Sequence, residues 1–160
     1  MYLVGFMGAG KTTVARALGR RLDWRVEDID ERIEARERRT VSSIFAQQGE
    51  PYFRQVERQV LHDLIPLRNA IVATGGGTFA DADNRSVMLA DGAVVWLEVP
   101  LTRVFDRVPA DGRRPLAVDR AQLERLFQVR QLAYAQAHLR VDATAPVPEI
   151  VEHILEWIEY

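Results

Sequence analysis

The sequence predicts a three-layer α/β fold, in which a mostly parallel sheet is covered by helices on both faces. Two observations indicate this class. Short β-rich runs alternate with amphipathic helical stretches along the chain, which is the pattern of successive βα units. A glycine-rich segment also follows the first apolar run and opens the first helical stretch, which places a tight loop at a strand–helix junction.

Five short runs are predicted as strands, and eight stretches with apolar residues at helical spacing are predicted as helices. The strands are 1–4, 24–27, 70–73, 93–97 and 139–141. The helices are 11–22, 30–36, 41–48, 51–64, 83–89, 101–108, 120–137 and 148–157. Residues 109–115 interrupt the alternation with two prolines and a glycine, which fits either a plain surface connection or a mobile lid.

The composition is that of an ordinary globular protein. A chain of 160 residues suits one domain spanning 1–160, and its net charge of -2 favours neither nucleic acid nor an anionic membrane as a partner. Cysteine is absent, which excludes disulfides and thiolate metal sites. No apolar run approaches the ~20 residues of a membrane span, so we expect a cytoplasmic protein.

Lysine usage is unusual, because Lys11 is the only lysine among 21 basic residues. The planar fork of arginine cannot replace a compact ammonium group where space is tight. The glycine-rich loop that contains Lys11 therefore requires an ammonium group at this position.

That loop, G-F-M-G-A-G-K-T from Gly5 to Thr12, matches the phosphate-binding pattern G-x-x-x-x-G-K-[ST] in full. Its glycines let backbone N–H groups point at phosphate oxygens, and the following helix adds its positive N-terminal end. Lys11 would reach the β- and γ-phosphates of ATP, and the Thr12 hydroxyl would bind Mg²⁺. The alternative, a glycine-rich turn that carries a lysine by chance, is disfavoured by the strand before it and the helix after it.

Two acids, Asp28 and Asp30, stand where the second predicted strand ends. The carboxyl ends of parallel strands open onto a shared crevice, and acids spaced by two in an extended chain point the same way. One carboxylate could hold the water shell of Mg²⁺, and the other could accept the proton of an attacking hydroxyl. The alternative is that Asp30 caps the next helix while Asp28 is merely solvated.

The arginines of the later helices are ambiguous from local sequence. Arg54 and Glu57 lie one helical turn apart, and this spacing favours a surface ion pair over an arginine held in place for a substrate carboxylate. Arg130 fits an ordinary solvated position on its helix.

The run Thr74-Gly75-Gly76-Gly77-Thr78 follows the third predicted strand. Three consecutive glycines permit a close approach to the backbone or positive φ angles, whereas a tight turn alone needs one or two. The run is therefore predicted to be a ligand-contact loop.

Six ordered segments together resemble the shikimate kinase family over nearly the whole chain. They are G-F-M-G-A-G-K-T-T at 5–13, D-I-D-E-R-I-E at 28–34, I-F-A-Q-Q-G-E-P-Y-F-R-Q-V-E at 44–57, A-T-G-G-G at 73–77, R-P-L at 114–116 and R-Q-L-A-Y at 130–134. Their order and spacing are much more specific than the phosphate loop alone.

The resemblance implies the fold of the nucleoside monophosphate kinases, a five-stranded parallel sheet with a substrate-binding segment at about 30–60 and a lid at about 108–118. It implies transfer of the γ-phosphoryl group of ATP to the 3-hydroxyl of shikimate, which gives shikimate 3-phosphate and ADP in aromatic amino-acid biosynthesis. It also implies a monomer that uses Mg²⁺.

The site residues that the resemblance implies fall into three groups. The shikimate group comprises Asp30 as the candidate base at the reacting hydroxyl, Arg54 and Arg130 at the carboxylate, and Gly76 and Gly77 along the ring. The ATP group comprises Gly8, Ala9, Gly10, Lys11, Thr12, Thr13, Arg107 at the adenine and Arg114 in the lid, with residues 143–148 as the adenine loop. The Mg²⁺ group comprises Thr12 and Asp28, and the catalytic residues are Asp30, Lys11 and Arg114.

One residue choice in the lid can be argued from the sequence, and two positions depart from the family pattern. Pro115 restrains the backbone of Arg114, which favours Arg114 over Arg113 as the lid cation. Ala117 replaces a usual leucine after R-P-L, and Arg38 stands where the family usually has a glycine that ends a helix.

Two rival functions stay open at this level, a P-loop kinase for another small acid such as gluconate and a catalytically inactive nucleotide-binding protein. The paired arginines and the triple glycine favour shikimate. Retention of Thr12, Asp30 and Arg114 favours an active enzyme.

Overall fold

A computed structural model describes residues 1–107, the side chain of Arg107 excepted, and residues 120–159. The strands are β1 (Tyr2–Val4), β2 (Arg25–Asp28), β3 (Ala70–Ala73), β4 (Val94–Glu98) and β5 (Leu139–Asp142). All neighbouring pairs are parallel and the strand order is β2-β3-β1-β4-β5. The predicted parallel five-stranded sheet is confirmed, and β2 begins and ends one residue later than the sequence indicates.

The helices of the described residues connect and follow these strands. They are α1 (Lys11–Leu22), α2 (Ile29–Glu37), α3 (Val41–Leu64), α4 (Ala82–Asp91), α5 (Leu101–Arg107), α6 (Arg120–Tyr134) and α7 (Val147–Glu159). Of these, α2 and α3 lie in succession between β2 and β3. The predicted helices 41–48 and 51–64 meet in α3, which bends at Gly49 because the φ of 80° and ψ of 173° of this residue are not helical. Two helical segments are therefore present, as the sequence predicts.

The central strands carry the core. Every residue of β1 and β3 is buried, and Leu3, Ile71 and Val95 are fully buried. Strands covered on both faces read as continuous apolar runs, which explains why these segments do not alternate with polar residues. On one side of the sheet, α1 packs against α7 and β3.

The strand order brings three connections together. β1 leads into the phosphate loop, β2 into α2, and β3 into the glycine loop, which we define as residues 74–78. Because β1, β2 and β3 are adjacent and parallel, these connections leave the same edge of the sheet.

None of the helices in the described part of the chain combines the length and the apolar character that crossing a membrane would need.

The end of α2 resolves the departure at Arg38. Arg38 adopts the left-handed conformation, with φ of 54° and ψ of 38°. The backbone geometry is thus the one that suits a glycine after a helix, although an exposed arginine occupies the position.

Candidate active site

The phosphate loop is closed by its own lysine. Lys11 is the first residue of α1 and follows Gly10, whose φ of 87° and ψ of 24° lie in the left-handed region. The Nζ atom of Lys11 donates hydrogen bonds to the carbonyl oxygens of Gly5 at 2.8 Å and Phe6 at 3.1 Å. The ammonium group therefore lies over the loop, beside the positive N-terminal end of α1.

The phosphate loop is tied to the end of β2 by Thr12 and Asp28. The Thr12 hydroxyl donates a hydrogen bond of 2.6 Å to Oδ2 of Asp28. The other carboxylate oxygen of Asp28 accepts the Glu31 N–H at 3.1 Å, so Asp28 is the N-cap of α2. The alternative in which Asp30 caps this helix is wrong.

Asp30 lies on the first turn of α2 rather than in extended chain, because the helix begins at Ile29. The expectation that Asp28 and Asp30 point the same way on a strand is therefore wrong. A Cβ atom built on Gly75 would lie 3.1 Å from Oδ1 of Asp30. Asp30 lies against the glycine loop, whereas Asp28 lies against the phosphate loop.

The ion pair between Arg54 and Glu57 is not the surface pair that local sequence favours. Glu57 is fully buried, and both of its carboxylate oxygens accept from Nη1 of Arg54, at 3.0 and 3.1 Å. Glu50 accepts from Nε and Nη2 at 3.4 and 3.3 Å. Burial opposes the positive charge, but Glu57 and Glu50 outweigh it and raise the pKa of Arg54. Arg54 therefore keeps its positive charge, and the two carboxylates hold its guanidinium group in place.

Arg130 is not solvated either, since its exposed fraction is 5%. Its guanidinium carbon lies 5.7 Å from the centre of the Phe6 ring, and the Tyr134 hydroxyl one turn along α6 donates to the Gly76 carbonyl oxygen. Among residues 1–106 and 120–159, no carboxylate forms an ion pair with Arg130, whereas Arg54 has two. Burial lowers the pKa of Arg130, and the nearby charge of Arg54 lowers it further. A buried cation with this environment suits an anionic ligand.

The glycine loop is in contact with both arginines. A Cβ atom on Gly76 would lie 2.9 Å from Nη1 of Arg130, and one on Gly77 would lie 2.6 Å from Nη1 of Arg54. The predicted close approach to this backbone is therefore present, and the groups that approach are the two guanidinium groups. The same hypothetical Cβ of Gly76 lies 3.6 Å from the Met7 backbone nitrogen, so this cluster adjoins the phosphate loop.

Local sequence predicted a ligand-contact loop at 74–78 but assigned no individual role to Gly75, Thr78 or Tyr134, which complete this cluster. Thr78 is fully buried, and its hydroxyl donates to Oε2 of Glu57 at 2.9 Å and accepts the Gly75 N–H at 3.1 Å. The available signals were the threonine that ends the glycine run and the tyrosine that ends the segment R-Q-L-A-Y. Neither signal indicates a partner, because Glu57 and Gly76 are far away in sequence.

Of the other residues predicted to bind the nucleotide, some lie outside the described residues. Arg114 lies outside the described residues, and Arg107 ends α5 with a side chain that also lies outside them. Thr13 is exposed on α1. In the predicted adenine loop, Oδ1 of Asp142 accepts the N–H and the hydroxyl of Thr144 at 2.8 and 2.6 Å, which fixes the turn after β5.

The groups beside the phosphate loop that could hold a metal ion are oxygen donors. The described residues contain no cluster of three or more histidines, cysteines or acids that could hold an ion by themselves. Mg²⁺ prefers oxygen ligands and keeps much of its water shell, so a hydroxyl and a carboxylate beside bound phosphates suit it. Thr12 and Asp28 supply this pair at the phosphate loop.

Comparisons with known proteins agree with this geometry. The family model for shikimate kinase matches residues 7–159. A shikimate kinase of Persephonella marina is 41% identical over 157 residues, which cover 97% of this chain and 96% of the relative. The structure of shikimate kinase from Acinetobacter baumannii in complex with shikimate superimposes with a TM-score of 0.94 at 35% identity, covering 98% of this chain and 90% of that one. A gluconokinase from Sinorhizobium meliloti has a TM-score of 0.61 at 16% identity and shares the fold alone. Its superposition covers 97% of this chain and 88% of the gluconokinase chain. The chain belongs to the shikimate kinase family.

Proposed function

We propose that the chain transfers the γ-phosphoryl group of ATP to the 3-hydroxyl of shikimate, with shikimate 3-phosphate and ADP as products. The observation that carries this proposal is the convergence of Arg54 and Arg130 on a glycine loop beside the phosphate loop. An acceptor that binds these cations through a carboxylate is held next to the nucleotide. Positioning of this kind supplies much of the acceleration in phosphoryl transfer.

The acceptor carboxylate binds between the two guanidinium groups. The carboxylate of shikimate compensates the buried charge of Arg130, and the arginine fork matches its geometry. Arg54 contributes the second contact, held in place by the fully buried Glu57. In this proposal Gly76 and Gly77 line the ring, and a side chain at either position would displace an arginine.

Asp30 acts on the reacting hydroxyl. Its carboxylate lies at the glycine loop, within 3.1 Å of the point where a Gly75 Cβ would be. In this proposal Asp30 accepts the hydrogen bond of the 3-hydroxyl and aligns its oxygen with the γ-phosphorus. It takes the hydroxyl proton as the new P–O bond forms and the bond from the γ-phosphorus to the β,γ-bridging oxygen breaks, which releases ADP.

The phosphate loop and the lid act on ATP. Backbone N–H groups of Gly8, Ala9, Gly10, Lys11, Thr12 and Thr13 hold the phosphates, and Lys11 neutralises charge that develops on them. Thr12, and Asp28 through water, would hold Mg²⁺, which when bound neutralises the β- and γ-phosphates. The hydrogen bond of 2.6 Å between the Thr12 hydroxyl and Oδ2 of Asp28 places these two oxygens side by side, where both could serve one cation. Arg114 closes over the phosphates and Arg107 contacts the adenine.

We further propose a monomeric, cytoplasmic enzyme of one domain, with the substrate-binding segment at about 30–60 and the lid at about 108–118. One sheet positions both the phosphate loop, which follows β1, and the glycine loop, which follows β3 and contacts the two arginines. A single copy of the chain therefore contributes every described residue of the proposed site.

Release of ADP in a coupled assay tests the proposed function. The purified chain, with ATP and Mg²⁺, is given shikimate, gluconate or no acceptor in parallel. We expect ADP release that depends on shikimate and exceeds the other two rates by at least ~100-fold, since gluconate cannot match both the carboxylate and the ring contacts. Equal rates with all three would contradict the proposal, and a preference for gluconate would establish the rival kinase.

A further inference from the structure

Thr78 joins two parts of the site that come from distant segments of the chain. Its hydroxyl donates to Oε2 of Glu57 on α3 at 2.9 Å, and it accepts the backbone N–H of Gly75 at the start of the glycine loop at 3.1 Å. The Thr78 N–H closes the turn by donating to the Gly75 carbonyl oxygen at 3.3 Å. One side chain thus connects α3 to the glycine loop.

The Thr78 contacts lie in a part of the protein from which water is largely excluded. Thr78 and Glu57 are both fully buried. A buried carboxylate is stable only when hydrogen bonds satisfy its oxygens, and Arg54 approaches those oxygens through a single nitrogen, Nη1. The Thr78 hydroxyl supplies a further donor to Oε2.

The orientation of Arg54 depends on this carboxylate. Glu57 accepts from Nη1, and the same nitrogen lies within 2.6 Å of the point where a Gly77 Cβ would be. A rotation of the Glu57 carboxylate would therefore move the guanidinium group relative to the glycine loop. The Thr78 hydroxyl opposes that rotation, because it is anchored to the loop itself.

We infer that Thr78 is a positioning residue for the acceptor carboxylate, and that it acts through Glu57 on Arg54; this inference rests on the proposed function. Thr78 does not touch the substrate in this arrangement. It fixes the distance between the guanidinium group of Arg54 and the loop that lines the ring. Its removal should therefore weaken binding of the acceptor and leave binding of ATP unchanged.

The test compares Thr78→Val with Thr78→Ser. Valine keeps the shape and removes the hydroxyl, whereas serine keeps the hydroxyl and removes only a methyl group. We expect Thr78→Val to raise the KM for shikimate by about 10-fold, with the KM for ATP within about twofold of the parent, as for loss of one hydrogen bond to a charged group. Thr78→Ser should stay within about threefold of the parent for both substrates.

A double-mutant cycle identifies the route of the effect. If Thr78 acts through Arg54, then Thr78→Val should change the shikimate KM by less than about twofold when Arg54→Leu is already present. The full 10-fold effect in that background would overturn the inference. So would a parallel rise of both KM values, which is the signature of a general structural defect.

Folding and parent activity complete the test. Circular dichroism checks each variant, and Thr78→Ala replaces Thr78→Val if the valine variant does not fold. If neither folds, the hydroxyl serves the fold and the positioning role is wrong. A parent without shikimate-dependent ADP release overturns the proposed function together with this inference, whereas an active parent and an unchanged Thr78→Val variant overturn the inference alone.

Discussion

Gly76 lies directly against Arg130, so that a Cβ atom on Gly76 would be 2.9 Å from Nη1 of the arginine. The Tyr134 hydroxyl donates to the carbonyl oxygen of the same glycine. The position of Arg130 is therefore coupled to the backbone of the glycine loop. Small changes in that backbone should therefore move the guanidinium group of Arg130 and alter binding of the acceptor.

Gly76→Ala tests this coupling. The new methyl group must displace the guanidinium group of Arg130, and we expect the KM for shikimate to rise by about 10-fold or more, with little change in the KM for ATP. Gly92→Ala is the matched control, because a Cβ at Gly92 meets no atom closer than 3.8 Å. Steady-state kinetics that leave Gly76→Ala and Gly92→Ala alike would show that the contact has no influence on the acceptor.

Asp30→Asn keeps the shape of the side chain and removes the proton acceptor. We expect kcat to fall by roughly 10²–10⁴ while ATP affinity is nearly unchanged. The thermal midpoint should hold, because Asp28 and not Asp30 caps α2. A large drop of the midpoint, with activity per folded molecule preserved, would mean that Asp30 serves the fold.

Lys11→Ala should lower turnover by at least ~10³, since it removes a charge that neutralises the phosphates during transfer. The single lysine allows a second measurement on the unmodified protein. An amine-reactive ATP analogue should label Lys11 and the N-terminus, and ATP should protect Lys11 alone. Labelling of Lys11 that ATP leaves unchanged would count against its place in the nucleotide site.

Arg38→Gly should stabilise the protein. Arg38 is exposed and holds a φ of 54°, which a glycine adopts without the steric cost that a Cβ carries. We expect a gain of about 0.5–1 kcal/mol in the free energy of unfolding, or roughly 1–4 °C in Tm. Ala35→Gly, at an exposed position inside the same helix, should destabilise by about 1 kcal/mol. Two changes of the same sign in thermal unfolding would contradict this account of the helix end.

Features that depend on local pattern could be predicted from the sequence. The phosphate loop needs only its own glycines, Lys11 and the flanking strand and helix, and the buried strands β1, β3 and β4 need only their apolar runs. The five-stranded parallel sheet was expected from the resemblance, whereas no strand order was predicted.

Features that depend on burial could not be predicted locally. Arg54 with Glu57, and Arg130, have the spacing of surface residues. The glycine loop packs against both arginines from a distant part of the sequence, and Glu57 and Arg130 are buried while Arg54 is partly buried. The start of α2 at Ile29, one residue earlier than predicted, likewise places Asp30 on a helical turn, so Asp28 and Asp30 do not share a face as they would in extended chain.

The proposed function depends on the binding of the acceptor carboxylate by Arg54 and Arg130. The most direct measurement compares kcat/KM for shikimate and for an analogue without the carboxylate, in the parent, in Arg130→Leu and Arg54→Leu, and in Arg125→Leu as the exposed control on α6. We predict losses of about 10²-fold or more with shikimate in the two site variants, much smaller losses with the analogue, and no change in the control. Equal losses on both substrates would contradict the claim, because the arginines would then act without contacting the carboxylate.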